Sequence, residues 1–377
     1  MRVTQVGVVV DPLNRTGHEL LVAWPTLKMV ADAVGTRGAT VSVVQASLHD
    51  ERFEMDGVDY HFVRADSVHA GVAATHPDVI HFQGLVAPRA VARMCGAFGN
   101  VPMLVQDHGS RPPTGWRRPL SRWCFRRVKG FAFTAHAQGV PWQEAGIISR
   151  SVPIFEVLES STSFAPGDRE AARRVTGIFG DPCLVWTGRL DENKNPLLVL
   201  EALEHAAPHL PDARLWCCFG DAPLLDRVRT RIESSDVLRH RVVLLGRRPA
   251  NEIEMYLRSA DFFVQASARE GSGYALIEAL ACNVTPIVTD IPSFRAIAGD
   301  VGELVPVGDV SAFTNAILSA AGNRASSGGA ARRRFTDALA PEHVGEGLMK
   351  AYRFIVEPHR ALWSATAHPA ERAPGGR

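Results

Sequence analysis

The chain has 377 residues, long for one domain and sufficient for two. Its 41 basic and 40 acidic residues leave a net charge of +1, too little to drive bulk nucleic-acid binding, and 46% hydrophobic with 21% charged residues is an ordinary globular balance. No run approaches the roughly 20 apolar residues that a spanning helix needs. The stretch Met1 to Asp11 is a short apolar run closed by an acid, and reads as a first buried strand rather than a secretory leader. The cysteines at 95, 124, 183, 217, 218 and 282 show no paired metal-type spacing, so they are expected reduced, in the core of a cytoplasmic protein.

Short apolar runs separated by amphipathic stretches predict strands near 3–10, 40–45, 58–63, 78–83, 102–107, 130–134 and 152–157. Helical spacing covers 17–36, 86–98, 115–128 and 138–145. A polar stretch with Pro and Gly, Ser160 to Asp168, then reads as a linker, after which the pattern begins afresh. Strands are predicted near 183–187, 213–219, 241–245, 261–266, 285–289 and 303–305, alternating with helices near 195–206, 222–234, 249–259, 274–282, 292–298 and 309–322. Apolar strands alternating with helices imply α/β architecture, with parallel sheets covered on both faces. The expected organisation is two doubly wound Rossmann-like domains, 1–160 and 161–340, facing across a cleft that holds the ligand. Residues 341–363 are expected to form a C-terminal helix packing back on the first domain, and 364–377, rich in Ala, Pro, Gly and Arg, a disordered tail.

Two loops carry most of the chemistry. In Glu270-Gly-Ser-Gly-Tyr-Ala-Leu-Ile-Glu278 a strand feeds a glycine-bearing turn, and the turn opens a helix. The first N–H groups of that helix have no internal partner and carry the positive end of the dipole, so the turn is a ready anion site that the small residues at 271 to 273 let a phosphate or sugar approach closely. Glu270 and Glu278 bracket the turn as hydrogen-bond acceptors, an arrangement suited to a phosphate-bearing polyol such as a nucleotide sugar. In the second loop, Trp186 to Asn195, Arg189 and Lys194 lie five apart and could clamp a diphosphate, or could simply pair with Asp191 and Glu192 in a solvated loop. No Asp-x-Asp metal motif is evident.

In the first half, His108 ends a buried strand beside Gly109, where it could meet a sugar hydroxyl or serve structure alone, with Asp107 as an alternative polar contact. His81, inside a strand, is expected to satisfy buried backbone or loop groups. Seven basic residues from Arg111 to Lys129 occur with no acid, interleaved with Trp116, Trp123 and Phe125. Arg118, Arg122 and Arg126 would share a helical face toward an anionic membrane surface; otherwise this is a solvated helix with its aromatics packed inward.

The Gly188-Arg-Leu…Lys194 loop together with the Glu270-x7-Glu278 element resembles the retaining nucleotide-sugar glycosyltransferases of family four, the glycosyl transferases group 1, which have the GT-B fold. The resemblance spans roughly 1–325 and is strongest from 183 to 306, with minor matches at Phe219 to Pro223, Val243 to Gly246, Asp78 to His81 and Thr289-Asp290. It implies an acceptor-side first domain and a donor-binding second domain. Glu278 would then hold the donor ribose, Glu270 the donor sugar and reacting geometry, and His108 the sugar opposite. Arg189, Lys194 and the N–H groups of Ser272, Gly273, Tyr274 and Ala275 would meet the diphosphate, with the base near Gly246, Arg247 and on to Pro249. The family's paired glycines after the first strand are reduced here to Gly17, with Arg15 and the N–H groups of Thr16 and Gly17 as substitutes. Ser272 replaces a common aromatic, and Asn283 a helix-ending glycine.

The expected activity is a hexosyltransferase that moves a sugar from a nucleoside diphosphate donor to a glycan or lipid-linked acceptor hydroxyl, with retention and with neither metal nor cofactor. It would serve polysaccharide, glycolipid or other glycoconjugate synthesis, in the cytoplasm or at the inner face of the membrane. Two rivals stay open: a nucleotide-sugar epimerase of the same fold, and a non-catalytic binder that keeps the pocket.

Overall fold

A computed structural model describes residues 1–324 and 329–366. The chain divides into two compact units, Met1–Glu159 with Val344–Arg377, and Ser160–His343. Eight strands form the sheet of the first unit: β1 (Arg2–Gly7), β2 (Thr40–Ala46), β3 (Glu51–Met55), β4 (Val58–Val63), β5 (Val79–Gln83), β6 (Met103–Gln106), β7 (Gly130–Phe133) and β8 (Ile154–Glu156). Their order is β3-β4-β2-β1-β5-β6-β7-β8, parallel throughout except for the antiparallel β3–β4 pair. The inner strands are apolar on both faces because both are covered. Val3, Val41, Val43 and Tyr60 pack on one side, and Val6, Val44, Ile80, Phe82 and Val105 on the other. The last helix, Pro341–Thr366, adds Val344, Leu348, Tyr352 and Ile355 to the first of these cores, residues spaced to fall on one helical face.

The second unit holds six strands: β9 (Cys183–Gly188), β10 (Arg214–Phe219), β11 (Val242–Gly246), β12 (Phe262–Gln265), β13 (Thr285–Thr289) and β14 (Glu303–Val305). The order β11-β10-β9-β12-β13-β14 is wholly parallel. The chain therefore winds outward from β9 to β11, then crosses back to β12 on the other side of β9. Between β9 and β12 lies the topological switch point, where helices leave the sheet on opposite faces and the carboxyl ends open a crevice. In the first unit the equivalent junction falls between β1 and β5.

Several expectations change. The predicted 17–36 helix is two, Gly17–Ala23 and Pro25–Gly35, because Pro25 cannot donate within a continuous helix and instead takes the first position of the second one. β1 ends at Gly7 rather than running to 10. The helices Val68–Ala74 and Arg169–Thr176 and the edge strand β3 were not expected. Ser160 to Asp168 is not a loose linker: Ser160, Ser161 and Thr162 are buried, the Ser161 hydroxyl donates to the Leu339 carbonyl at 2.5 Å, and the Ala165 N–H donates to Glu254 at 2.9 Å. The final helix extends to Thr366, into the stretch read as tail, and 367–377 lie outside the described residues.

Candidate functional site

The two motif loops of the second unit follow β9 and β12, the strands that flank its switch point. They are tied to each other. The Ala268 N–H donates to the Asn193 carbonyl at 2.8 Å, and the Asn193 side-chain amide donates to the Arg269 carbonyl at 2.9 Å. On the far side the Ser293 hydroxyl donates to the Glu270 carbonyl at 3.1 Å, and the Thr289 hydroxyl to the Ser267 carbonyl at 2.5 Å. This stitching places Lys194 against Glu270, as an ion pair with both side chains almost buried (14% and 11% exposed). The Ser267 hydroxyl donates to the same Glu270 Oε1 at 2.5 Å. A buried pair held on several sides keeps its charges where a ligand can use them, whereas an exposed pair is worth little.

Glycine is required at two places in this geometry. Gly188, at φ +154°, leads the chain off β9 beneath the lysine stem; a Cβ there would meet Gln265 Nε2 at 3.1 Å and Lys194 Cε at 3.7 Å. Gly273 stands at φ +60° as the N-cap of the helix Tyr274–Ala281, and a Cβ there would lie 2.4 Å from Ile297 Cδ1. No side-chain hydrogen bond from a described residue caps that helix at Gly273, and Ser272 and Ala275 at its start are half-buried.

Glu278 lies one turn further on. The residue is 8% exposed, and its carboxyl is neither hydrogen-bonded nor ion-paired to any described residue. Burial pushes its pKa up to about 8, with a smaller push from the charge of Glu254. A buried carboxyl without a partner is costly unless something outside the chain supplies donors. Arg189 is placed differently: it reaches solvent (60% exposed) and pairs with Asp191 at 3.0 Å, the solvated-loop arrangement left open by the sequence, while Glu192 pairs with Arg227. Gly246 ends β11, two strands from the switch point, and Arg247 follows it, exposed and 3.5 Å from Asp221.

In the first unit His108 follows β6. Its Nδ1 is hydrogen-bonded to Glu159, and its Nε2 lies 2.8 Å from Gln83 Oε1. Burial works to lower the His108 pKa, but the hydrogen bond and charge of Glu159, with Asp107 behind them, outweigh it and the pKa rises. Two acceptors around one imidazole favour the form that donates from both nitrogens. Asp107 shapes the loop instead of facing it, accepting from the N–H groups of Gly109 (2.9 Å) and Ser110 (3.0 Å). His81 meets neither backbone nor loop: its Nδ1 lies 2.8 Å from the Tyr352 hydroxyl of the last helix, and burial drives its pKa down to about 3. Glu159, Gln83 and Tyr352 were invisible in the sequence, because only the fold gathers residues so far apart.

The substitutes for the missing glycines are already engaged. Arg15 makes two 2.8 Å bonds to Asp11, whose pKa is lowered chiefly by that contact. The Thr16 N–H donates to Glu19 at 2.9 Å in a capping box, and the Gly17 N–H to Glu51 at 3.0 Å. All three donors are therefore withdrawn from ligand binding. Among the described residues no cluster of His, Cys, Asp or Glu is placed to hold a metal ion.

The model of the family described as "Glycosyl transferases group 1" matches residues 181–323, the segment that contains both loops and the switch point. The family match is confined to that segment, which lies within the second unit. A Xanthomonas campestris GDP-mannose:cellobiosyl-diphosphopolyprenol alpha-mannosyltransferase is 24% identical over 303 residues, 78% of this chain and 77% of that protein. An Escherichia coli UDP-Gal:alpha-D-GlcNAc-diphosphoundecaprenol alpha-1,3-galactosyltransferase is 30% identical over 135 residues, about a third of either chain (35% and 34%). Among solved structures, sucrose-phosphate synthase from Thermosynechococcus elongatus superposes with a TM-score of 0.71 at 16% identity, covering 97% of this chain and 99% of that one. Anabaena HepE in complex with UDP gives 0.71 at 16% identity, covering 93% and 99%. These likenesses fix the GT-B fold, and the enzyme is a glycosyltransferase that uses a nucleotide-sugar donor.

Proposed function

We propose that this glycosyltransferase moves a hexosyl group, with retention and without a metal or cofactor, from a nucleoside diphosphate sugar to a hydroxyl of a lipid-linked saccharide. The observation that carries the reading is the buried Lys194–Glu270 pair at the β9–β12 switch point, beside a helix N-terminus that no side chain caps. Lys194 and the N–H groups of Ser272 to Ala275 supply positive charge where the departing diphosphate gains negative charge. Glu270, held by Lys194 and Ser267, orients the donor sugar. Glu278 accepts from the ribose hydroxyls, which supply the donors its carboxyl otherwise lacks. Arg189 leaves Asp191 to reach the diphosphate, and Gly246 and Arg247 border the base. His108, held at Nδ1 by Glu159, exchanges Gln83 for a sugar hydroxyl at Nε2. Two relatives act, by name, on diphosphate-linked polyprenols, which favours that acceptor class here.

We also propose contact with an anionic membrane surface. Trp116 (69%) and Trp123 (56%) are exposed rather than packed inward, and Arg126 lies over Trp123 at 4.0 Å from the ring centre. Arg118 is turned aside to the Ala145 carbonyl, so the contact falls to the tryptophans with Arg122 and Arg126. No helix among the described residues is long and apolar enough to cross a membrane.

The test is a panel of UDP and GDP sugars incubated with the enzyme, with and without a membrane lipid extract. Nucleoside diphosphate release that depends on the extract, with labelled sugar entering the lipid phase, supports the reading. An isomerised sugar formed without acceptor would point to epimerisation, and nucleotide binding with no turnover to a non-catalytic binder.

A further inference from the structure

A cavity of about 690 Å³ opens at the carboxyl edge of the first unit's sheet, a volume within the range of small-molecule sites. Val8 just beyond β1, Ala46 at the end of β2, and Leu85 and Val86 just beyond β5 place it over the β1–β5 switch point, where such sheets bind ligands. Met94 and Trp142 close its apolar wall. The lining also includes Arg89, Arg93, Arg111 and Arg117 and, among the described residues, no carboxylate. Among the described residues none of these four guanidinium groups meets a carboxylate or hydrogen-bond acceptor; Arg117 only lies over Trp116, 5.6 Å from the ring centre.

Four like charges gathered without counter-charge repel one another, and a polyanion would relieve that. Guanidinium forks match phosphate oxygens in two places each. The apolar wall argues against a free, fully hydrated phosphate, which would gain nothing from it and lose water beside it. Charge and wall together describe one molecule, with a diphosphate head and a hydrocarbon chain. The mouth extends the same chemistry outward, since Val86 and Trp116 are each 69% exposed beside the basic helix Arg117–Phe125. A long chain could leave the cavity there.

We propose that this cavity binds an isoprenoid diphosphate, the arginines holding the diphosphate and the Leu85–Met94–Trp142 wall the first isoprene units. As the seat of an acceptor this rests on the glycosyltransferase reading above; as a binding site it does not.

Calorimetric titrations of the full chain would use farnesyl diphosphate, farnesol and inorganic diphosphate, each with saturating UDP or GDP so that the second unit's diphosphate site is filled. Farnesyl diphosphate is expected to bind at least about tenfold more tightly than either fragment molecule. The Arg89→Ala/Arg93→Ala double variant is expected to lose roughly tenfold or more in farnesyl diphosphate affinity, and the neutral Val86→Asn to weaken it while leaving inorganic diphosphate unchanged. All these positions are at the surface, and an unchanged nucleotide-induced thermal shift reports that the variants fold. Equal affinity for farnesyl diphosphate and inorganic diphosphate, or for farnesyl diphosphate and farnesol, overturns the proposal, as does a double variant that binds like wild type. Arginine-dependent binding to phosphatidylglycerol vesicles without farnesyl diphosphate binding reduces the patch to a surface contact, and overturns it too. Nucleotides that fail to shift the wild-type melting curve, beside intact farnesyl diphosphate binding, would instead sink the donor reading.

Discussion

Replacing Glu278 by Gln should strengthen the empty protein at alkaline pH while weakening its hold on the donor. The carboxyl is buried without a partner, and its pKa stands at about 8 against an ordinary 4.5. An acid whose pKa is raised by folding costs the native state stability as pH climbs from the unfolded value to the folded one. In that window the unfolded chain releases a proton that the native protein must keep. Each pH unit is worth about 1.4 kcal/mol, so a shift of this size removes on the order of 4 kcal/mol by pH 8. Glutamine has nearly the same shape and never ionises, so it escapes the loss. Melting curves without ligand should coincide for wild type and variant near pH 4, and separate by roughly 10 °C at pH 8.5 with the variant higher. Nucleotide affinity should move the other way. If the ribose requires the ionised carboxylate, wild-type affinity for UDP or GDP should tighten about tenfold between pH 7 and 9, while the variant stays weak and flat. Melting curves that remain superimposed at every pH, or a wild-type affinity indifferent to pH, would refute this account of Glu278.

Glu270→Gln should reduce sugar transfer by about 100-fold or more in kcat with nucleotide affinity little changed, since its charge acts on the reacting sugar; steady-state kinetics beside a binding titration decides it. Glu159→Gln should lower the pH at which His108 loses its proton, because the contact that raises it is gone, and the alkaline limb of the activity profile should shift the same way; a His108 NMR titration that does not move would contradict this. Gly273→Ala adds a Cβ 2.4 Å from Ile297 Cδ1 at φ +60°, so a stability loss of about 1–3 kcal/mol is expected, together with weaker nucleotide binding. Wild-type melting and affinity in the Gly273→Ala variant would mean that the turn is not held as described.

The second sheet could be read closely from the sequence because its inner strands β9, β10, β12 and β13 are buried on both faces; β13 and the half-buried edge strand β14 fall where expected, residue for residue. What escaped lacks that signal. In β3 exposed and half-buried residues alternate, so Glu51 to Met55 looks polar. The helix Arg169–Thr176 buries only Ala172, and therefore shows almost no apolar face. The site was half visible. Glu270, Lys194 and Glu278 belong to short local patterns, and the fold brings the first two into contact. Arg15, Thr16 and Gly17 looked equally available, yet their donors are taken by Asp11, Glu19 and Glu51, and the Glu51 contact comes from the strand that sequence missed. The partners of His108 come from β5 and from Glu159, a pairing that no local spacing encodes.

The claim that the β9–β12 switch point holds the donor diphosphate is tested most directly by calorimetric titration of UDP and GDP into wild type and Lys194→Met. One nucleotide should bind per chain, and the variant should lose roughly 10- to 100-fold in affinity, because a buried charge facing the diphosphate is gone and Glu270 is left without its counter-charge. Nucleotide affinity unchanged by Lys194→Met, in a variant that melts normally, would place the donor elsewhere.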